Sequence, residues 1–267
     1  MQGKEEKTER ERDEERLEQL GMELRARAPW REGEIRRSVE AAREKLRPCG
    51  ALGRPGAMGG GGGGGRRPRV LLDMDGVVVD WDAGFRAAWA ARGHAPPERA
   101  RSYYMEECVE PGLREEAVAL FHAEGFFRDL PPREGALAAV SEVAEAYEVF
   151  ICTSPVLTSA FCAAEKYAWV ERHLGADWKR RVVITSDKTL VRGDVLIDDK
   201  PAITGAEVAP AWEHVLFDAP YNGPGALAPG PLAGGDSRVR LARWADWRPA
   251  VELALALAVT PPPLRYP

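Results

Sequence analysis

Cysteine is scarce: the 267 residues hold four, Cys49, Cys108, Cys152 and Cys162. None forms C-x-x-C, and no histidine pair stands at zinc-ligand spacing, which argues against a structural zinc site. Four cysteines in a chain this long do not make a disulfide framework, and a reducing compartment is the simpler reading. A positive excess is missing too. The 37 basic side chains face 42 acidic ones, a net charge of −5, so the chain is not expected to bind nucleic-acid polymers. No window holds the ~18 consecutive apolar residues of a membrane span. The amino terminus lacks a signal-peptide core, and the 13 acidic side chains within residues 1–44 are foreign to a mitochondrial transit peptide. A cytoplasmic location is therefore expected. What the chain does have is 45% apolar residues, enough to bury a sizeable core.

The first 68 residues differ from the rest, with 16 basic and 13 acidic side chains against 21 and 29 in residues 69–267. From Lys4 to Arg27, Glu and Arg alternate at spacings that support a solvated helix. Leu17, Leu20 and Leu24 hint at a heptad seam too short for a coiled coil. Seven consecutive glycines, Gly59–Gly65, read as a flexible tether. Residues 1–68 are thus expected to form a disordered or solvated-helix leader that adds nothing to the fold.

After the tether, short apolar runs recur at 69–73, 147–152, 181–185, 194–198 and 214–217. Near-continuous runs of this length fit strands buried on both faces. Helical patterns separate them at 135–146, 158–174 and 200–208. This alternation predicts an α/β fold with a doubly wound parallel sheet. The gap of about 70 residues between the first two runs is too long for one crossover helix. An inserted helical cap over about 84–130, rich in aromatics, accounts for it. The folded domain is expected over 69–250, with a carboxyl-terminal tail at 251–267.

In such sheets, ligands bind beyond the carboxyl ends of the strands. There this sequence places Asp73 and Asp75, then Thr153 and Ser154, then Lys188, then Asp198 and Asp199. Converging carboxylates repel unless a cation sits among them, and all-oxygen ligands beside a phosphate suit Mg²⁺. Lys166 and Lys188 with a Thr hydroxyl supply the groups needed to grip a phosphoryl group. His94, His122, His173 and His214 flank no nucleophile motif and are expected to be structural or exposed.

The ordered set D-x-D-G-V at Asp73–Val77, Thr153 after an apolar strand, a downstream Lys and the pair Asp198-Asp199 resembles the haloacid-dehalogenase-like (HAD, Rossmannoid) phosphatases. Further stretches, among them V-F-I-C-T-S-P at 149–155, E-K-Y-A-W-V-E-R-H-L-G at 165–175, D-K-T at 187–189 and G-D-V-L-I-D-D-K at 193–200, are similar to the 5′(3′)-deoxyribonucleotidases, cytosolic type, over about residues 69–250. The resemblance implies Asp73 as nucleophile and Asp75 as general acid, then base. It implies Mg²⁺ held by Asp73, the main-chain carbonyl of Asp75 and Asp199, with Asp198 supporting. Thr153, Ser154 and Lys188 would bind phosphate, and Lys166 would offset charge. It implies a cap pocket for a pyrimidine deoxynucleotide such as dUMP or dTMP, built from Trp81, Tyr103, Tyr104 and Phe121, and a homodimer. Ser186 departs from the family's usual Arg, which bears on affinity and base preference. A HAD phosphatase for another small phosphate ester is the alternative. A scaffold whose leader binds a partner is a third reading, against which the full catalytic set stands.

Overall fold

The structure, a computed structural model, describes residues 9–27, 32–46, 66–97, 102–223 and 239–258. The glycine run, Cys49 and residues 259–267 lie outside the described residues. Six strands, β1 (Arg69–Leu72), β2 (Glu148–Thr153), β3 (Val182–Ile184), β4 (Val195–Asp198), β5 (Glu213–Phe217) and β6 (Val239–Leu241), form one sheet. Every pair is parallel, in the order β3-β2-β1-β4-β5-β6. This is the expected doubly wound arrangement, with the winding direction reversing beside β1.

Successive side chains of β1 serve opposite faces, as strand geometry requires. Val70 and Leu72 join the larger apolar cluster, while Leu71 joins a smaller one with Cys152, Leu196 and Trp212. Burial on both faces explains why the strand reads as an unbroken apolar run. Five strands stand where the apolar runs place them. β6, only three residues with Arg240 at its centre, has no such signature.

The cap is helical, as expected. Helix α3 (Trp81–Ala91) and helix α4 (Arg114–His122), with 3₁₀ turns at Met105–Glu107 and Pro111–Leu113, enclose their own cluster of Phe85, Trp89, Met105, Val109, Ala117, Leu120 and Phe121. Helix α5 (Ala136–Ala146) follows the sequence reading closely, and helix α6 (Cys162–Leu174) ends where expected but starts four residues later. The expected helix at 200–208 does not form; residues 199–212 are irregular. Pro201 and Gly205 weaken it. Asp198 Oδ1 accepts from the Lys200 N–H at 2.8 Å, and Asp187 Oδ2 accepts from the Ala206 N–H at 2.8 Å, so side chains hold the backbone in a loop.

The leader also differs from its expectation. Residues Glu9–Arg27 and Glu32–Leu46 are helices, α1 and α2. Leu17, Leu20 and Leu24 of α1 and Ile35, Val39 and Ala42 of α2 are buried in the larger cluster. They pack against helix α7 (Trp247–Ala258), so residues 251–258 are core helix and not tail. The leucines at i, i+3 and i+7 form one stripe on an otherwise charged helix, and α7 supplies the apolar partner that an isolated reading of the leader omits.

Candidate active site

The strand ends converge as the sequence implies. Asp73 follows β1, Thr153 ends β2, Asp198 ends β4, and Asp199 stands next to it. The Asp73 N–H donates to the Ile197 carbonyl at 2.9 Å, which sets Asp73 beside the end of β4. The following loop is pinned by Arg133, whose Nη1 donates to the Gly76 carbonyl at 2.9 Å, and by Trp244, whose indole N–H donates to the Val77 carbonyl at 2.8 Å. Gly76 has φ +78°, and a Cβ there would stand 1.8 Å from Asp199 Oδ2. Only glycine lets the loop pass this close to the acid.

The two acids one residue apart occupy different surroundings. Asp73, 5% exposed, is paired with Lys188 at 2.6 Å. Lys188 also binds Asp198 Oδ2 at 2.6 Å. Asp75 faces the buried Lys166, whose ammonium donates to Asp75 Oδ2 at 2.7 Å, to Thr153 Oγ1 at 2.7 Å and to the Ser154 carbonyl at 2.8 Å. Burial pushes the carboxyls of Asp73 and Asp75 upward, against the pull of Lys188 on the first and Lys166 on the second. Burial would lower the Lys188 ammonium, but Asp73 and Asp198 outweigh it and hold it up.

One carboxylate oxygen from each of Asp73, Asp198 and Asp199 lies within 4.8 Å of the others. Asp199 Oδ1 is buried with no hydrogen-bond partner, while Tyr221 donates its hydroxyl to Oδ2. Burial, then Asp198 and Asp73, push the Asp199 carboxyl well up. Three carboxylates against one ammonium leave a charge of about −2, and an all-oxygen donor set with an orphaned buried oxygen fits a hard divalent cation. The Asp75 carboxylate lies outside this cluster, on Lys166.

A cavity of about 250 Å³ opens over these groups, lined by Asp73, Asp75, Tyr103, Thr153, Ser154, Pro155, Leu157, Ser186, Lys188, Asp198, Lys200, Ile203 and Thr204. Of the four cap aromatics, Tyr103 reaches its wall. Trp81 stacks on Phe85 at 5.4 Å and meets Phe121 at 5.8 Å inside the cap, and Tyr104 stands half exposed against the Tyr103 ring. Cys152 lies in the sheet core, where burial pushes its thiol up to about 12, leaving it inert. The described cysteines are free.

The model of the family described as 5′ nucleotidase, deoxy (pyrimidine), cytosolic type C protein (NT5C) matches residues 67–224. The chain belongs to this family. It is 44% identical over 207 residues to the human mitochondrial 5′(3′)-deoxyribonucleotidase, covering 73% of this chain and 88% of that relative. To the human cytosolic-type 5′(3′)-deoxyribonucleotidase it is 43% identical over 193 residues, 68% of this chain and 92% of the relative. A solved haloacid-dehalogenase-like family hydrolase from Xanthomonas campestris is similar at 15% identity over 72% of this chain and 97% of that one, with a TM-score of 0.40. The part of the chain matched by the nucleotidase family contains every acid, lysine and hydroxyl described above. The α1–α2 hairpin, β6 and α7 lie outside it. Among the described residues, no helix is long and apolar enough to cross a membrane.

Sequence reasoning missed Arg133 and Tyr221, and it gave no role to Lys200, which closes the D-D-K motif at 198–200. Tyr221 stands just beyond the end of β5, so the same strand-end rule could have found it. Arg133 carries no sequence signal.

Proposed function

We propose that the protein hydrolyses nucleoside monophosphates bearing 5′ or 3′/2′ phosphates, foremost pyrimidine deoxyribonucleotides such as dUMP and dTMP, to nucleoside and inorganic phosphate with Mg²⁺ as cofactor. The observation that carries this reading is the separation of two neighbouring carboxylates, one on Lys188 within an acidic cluster and one on Lys166 at the cavity wall. Family membership supports the substrate class.

Asp73, Asp199 and the main-chain carbonyl of Asp75 would hold Mg²⁺, with Asp198 beside them. Bound there, the ion would offset negative charge on the phosphoryl oxygens. Thr153, Ser154 and Lys188 orient the phosphate. Asp73 attacks phosphorus, and the sugar oxygen leaves with the proton of Asp75, whose burial favours the protonated form. An aspartyl phosphate forms on Asp73. Asp75, now ionised, takes a proton from water; the water oxygen attacks the same phosphorus, releasing phosphate and restoring both acids. Lys166 holds Asp75 in place through the cycle.

The test is a panel of deoxy- and ribonucleoside 5′- and 3′-monophosphates and small phosphate esters, assayed with and without Mg²⁺, on wild type and Asp73→Asn. Pyrimidine deoxynucleotides should be turned over best, and Asp73→Asn should lose several orders of magnitude. A different ester preferred throughout, or substantial turnover by Asp73→Asn, would sink the reading. We infer a cytoplasmic homodimer as well, the location from likeness to the cytosolic-type relative and the dimer from the family resemblance. A monomer in sedimentation at working concentration would overturn the dimer.

A further inference from the structure

The cavity is rich in charge, but most of it is already spoken for. Lys188 is shared between Asp73 and Asp198, and Lys166 behind the wall is held by Asp75. A phosphate monoester brings about two negative charges at neutral pH, and on its way in it meets the carboxylates of Asp73, Asp75 and Asp198 at the same wall. Lys200 is different. Among the described residues it lines the cavity without a carboxylate partner, its side chain exposed. Its main-chain N–H is fixed to Asp198 Oδ1 at 2.8 Å, so its backbone is anchored to the acidic cluster while the ammonium reaches the cap, 5.2 Å from the centre of the Tyr103 ring. Tyr103 meets Tyr221 edge-to-face at 5.7 Å on another side. An ammonium over an exposed ring is held weakly and keeps its donors available for a stronger, ionic partner.

We propose that Lys200 is the substrate-binding cation of the cavity mouth, which captures the phosphate dianion and brings it past the carboxylates. The proposal rests on the phosphatase reading for the identity of the natural anion, but the charge argument concerns any phosphate. An uncompensated cation in a cleft raises the local concentration of an anionic ligand, and its effect fades as salt screens it.

The test uses the full Mg²⁺-loaded chain as wild type, Lys200→Gln and Lys200→Arg. Lys200 is exposed, so the thermal midpoints of all three should agree. Titration with inorganic phosphate should show Lys200→Gln binding about tenfold more weakly at low salt, with a flatter dependence on NaCl concentration than wild type. Lys200→Arg should stay near wild type. In turnover of a deoxynucleoside monophosphate, the loss in Lys200→Gln should appear in KM. Equal phosphate affinity and equal salt dependence in wild type and Lys200→Gln would overturn the proposal, as would an equal loss in Lys200→Gln and Lys200→Arg, which would assign the effect to packing instead of charge. Absence of monophosphate turnover by wild type would sink the phosphatase reading alone, because the phosphate titration decides Lys200 separately.

Discussion

At the scale of single residues, the site holds three acids whose folded environment favours their protonated forms. Burial pushes the carboxyls of Asp73, Asp75 and Asp199 above their ordinary values. The folded chain therefore keeps protons that the unfolded chain has released above about pH 4. Unfolding then gives up protons, and stability of the metal-free protein falls as pH rises through the raised values. A divalent cation needs the ionised ligands, so its stabilisation grows in the same direction. Thermal unfolding between about pH 5 and 8, with EDTA and with excess MgCl₂, should show a metal-free midpoint that declines with pH and a gap to the Mg²⁺ curve that widens. A gap of constant width would count against Asp73 and Asp199 as the ion's carboxylate ligands. Most of this site was legible because each acid or hydroxyl closes an apolar run, a conspicuous place for a polar side chain. What was hidden is orientation. Aromatic content marks the cap, but only the folded cap shows that Trp81 and Phe121 pack inward while Tyr103 faces the cavity. Lys200 was obscured by a helical pattern whose backbone is in fact held in a loop by Asp198 and Asp187.

At the scale of elements, α6 does more than cover the sheet. Glu165, buried, accepts from the Gly125 N–H through Oε1, and from the Phe127 and Arg128 N–H groups through Oε2 at 3.0 and 3.3 Å. One turn on, the Trp169 indole N–H donates to the Leu130 carbonyl at 2.8 Å. The returning end of the cap is thus fastened to the helix that also carries Lys166, and the Phe127 ring lies 5.6 Å from the Lys166 ammonium. Glu165→Gln keeps the shape but offers one oxygen and an amide NH₂ to three backbone donors. At least one buried donor then loses its partner, a cost of about 1–3 kcal/mol, or several degrees in Tm for a chain of this size. Hydrogen exchange should speed at residues 125–128 before it does in the sheet. Unchanged exchange there would show that Glu165 does not fasten the cap to α6. The strands were readable because doubly buried β segments are apolar throughout, and the start of α6 was misread by four residues for a local reason. Ser159 Oγ accepts from the Phe161 and Cys162 N–H groups at 3.3 and 3.2 Å, and so sets the helix start at Cys162 instead of Thr158.

At the scale of the whole molecule, the nucleotidase-family part at 67–224 carries the cavity, and a helical hairpin from the other end of the chain completes the core on another side. The hairpin packs closely: a Cβ on Gly21 of α1 would stand 2.8 Å from Val39 Cγ2 of α2, and Arg16 pairs with Glu252 of α7 at 3.2 Å. With its Arg16 end exposed, that ion pair adds little; the buried leucines, isoleucine and valine carry the docking. Leu20, 4% exposed, lies within the cluster shared with α7. Truncating such a side chain costs about 2–5 kcal/mol where the cavity does not collapse. Among the described residues, none of the hairpin lines the candidate active-site cavity. Leu20→Ala should therefore lower Tm by several degrees and leave kcat on a deoxynucleotide near that of wild type. A chain beginning at Arg66 should show the same split more strongly and should self-associate, because the face of α7 now under Leu17, Leu20 and Val39 would be bare to water. If the shortened chain matched the full one in both Tm and association state, the hairpin would be resting on α7 without stabilising it. If instead kcat fell with Tm, α7 and β6 would be transmitting the loss to the strand ends, and the hairpin would belong to the catalytic unit.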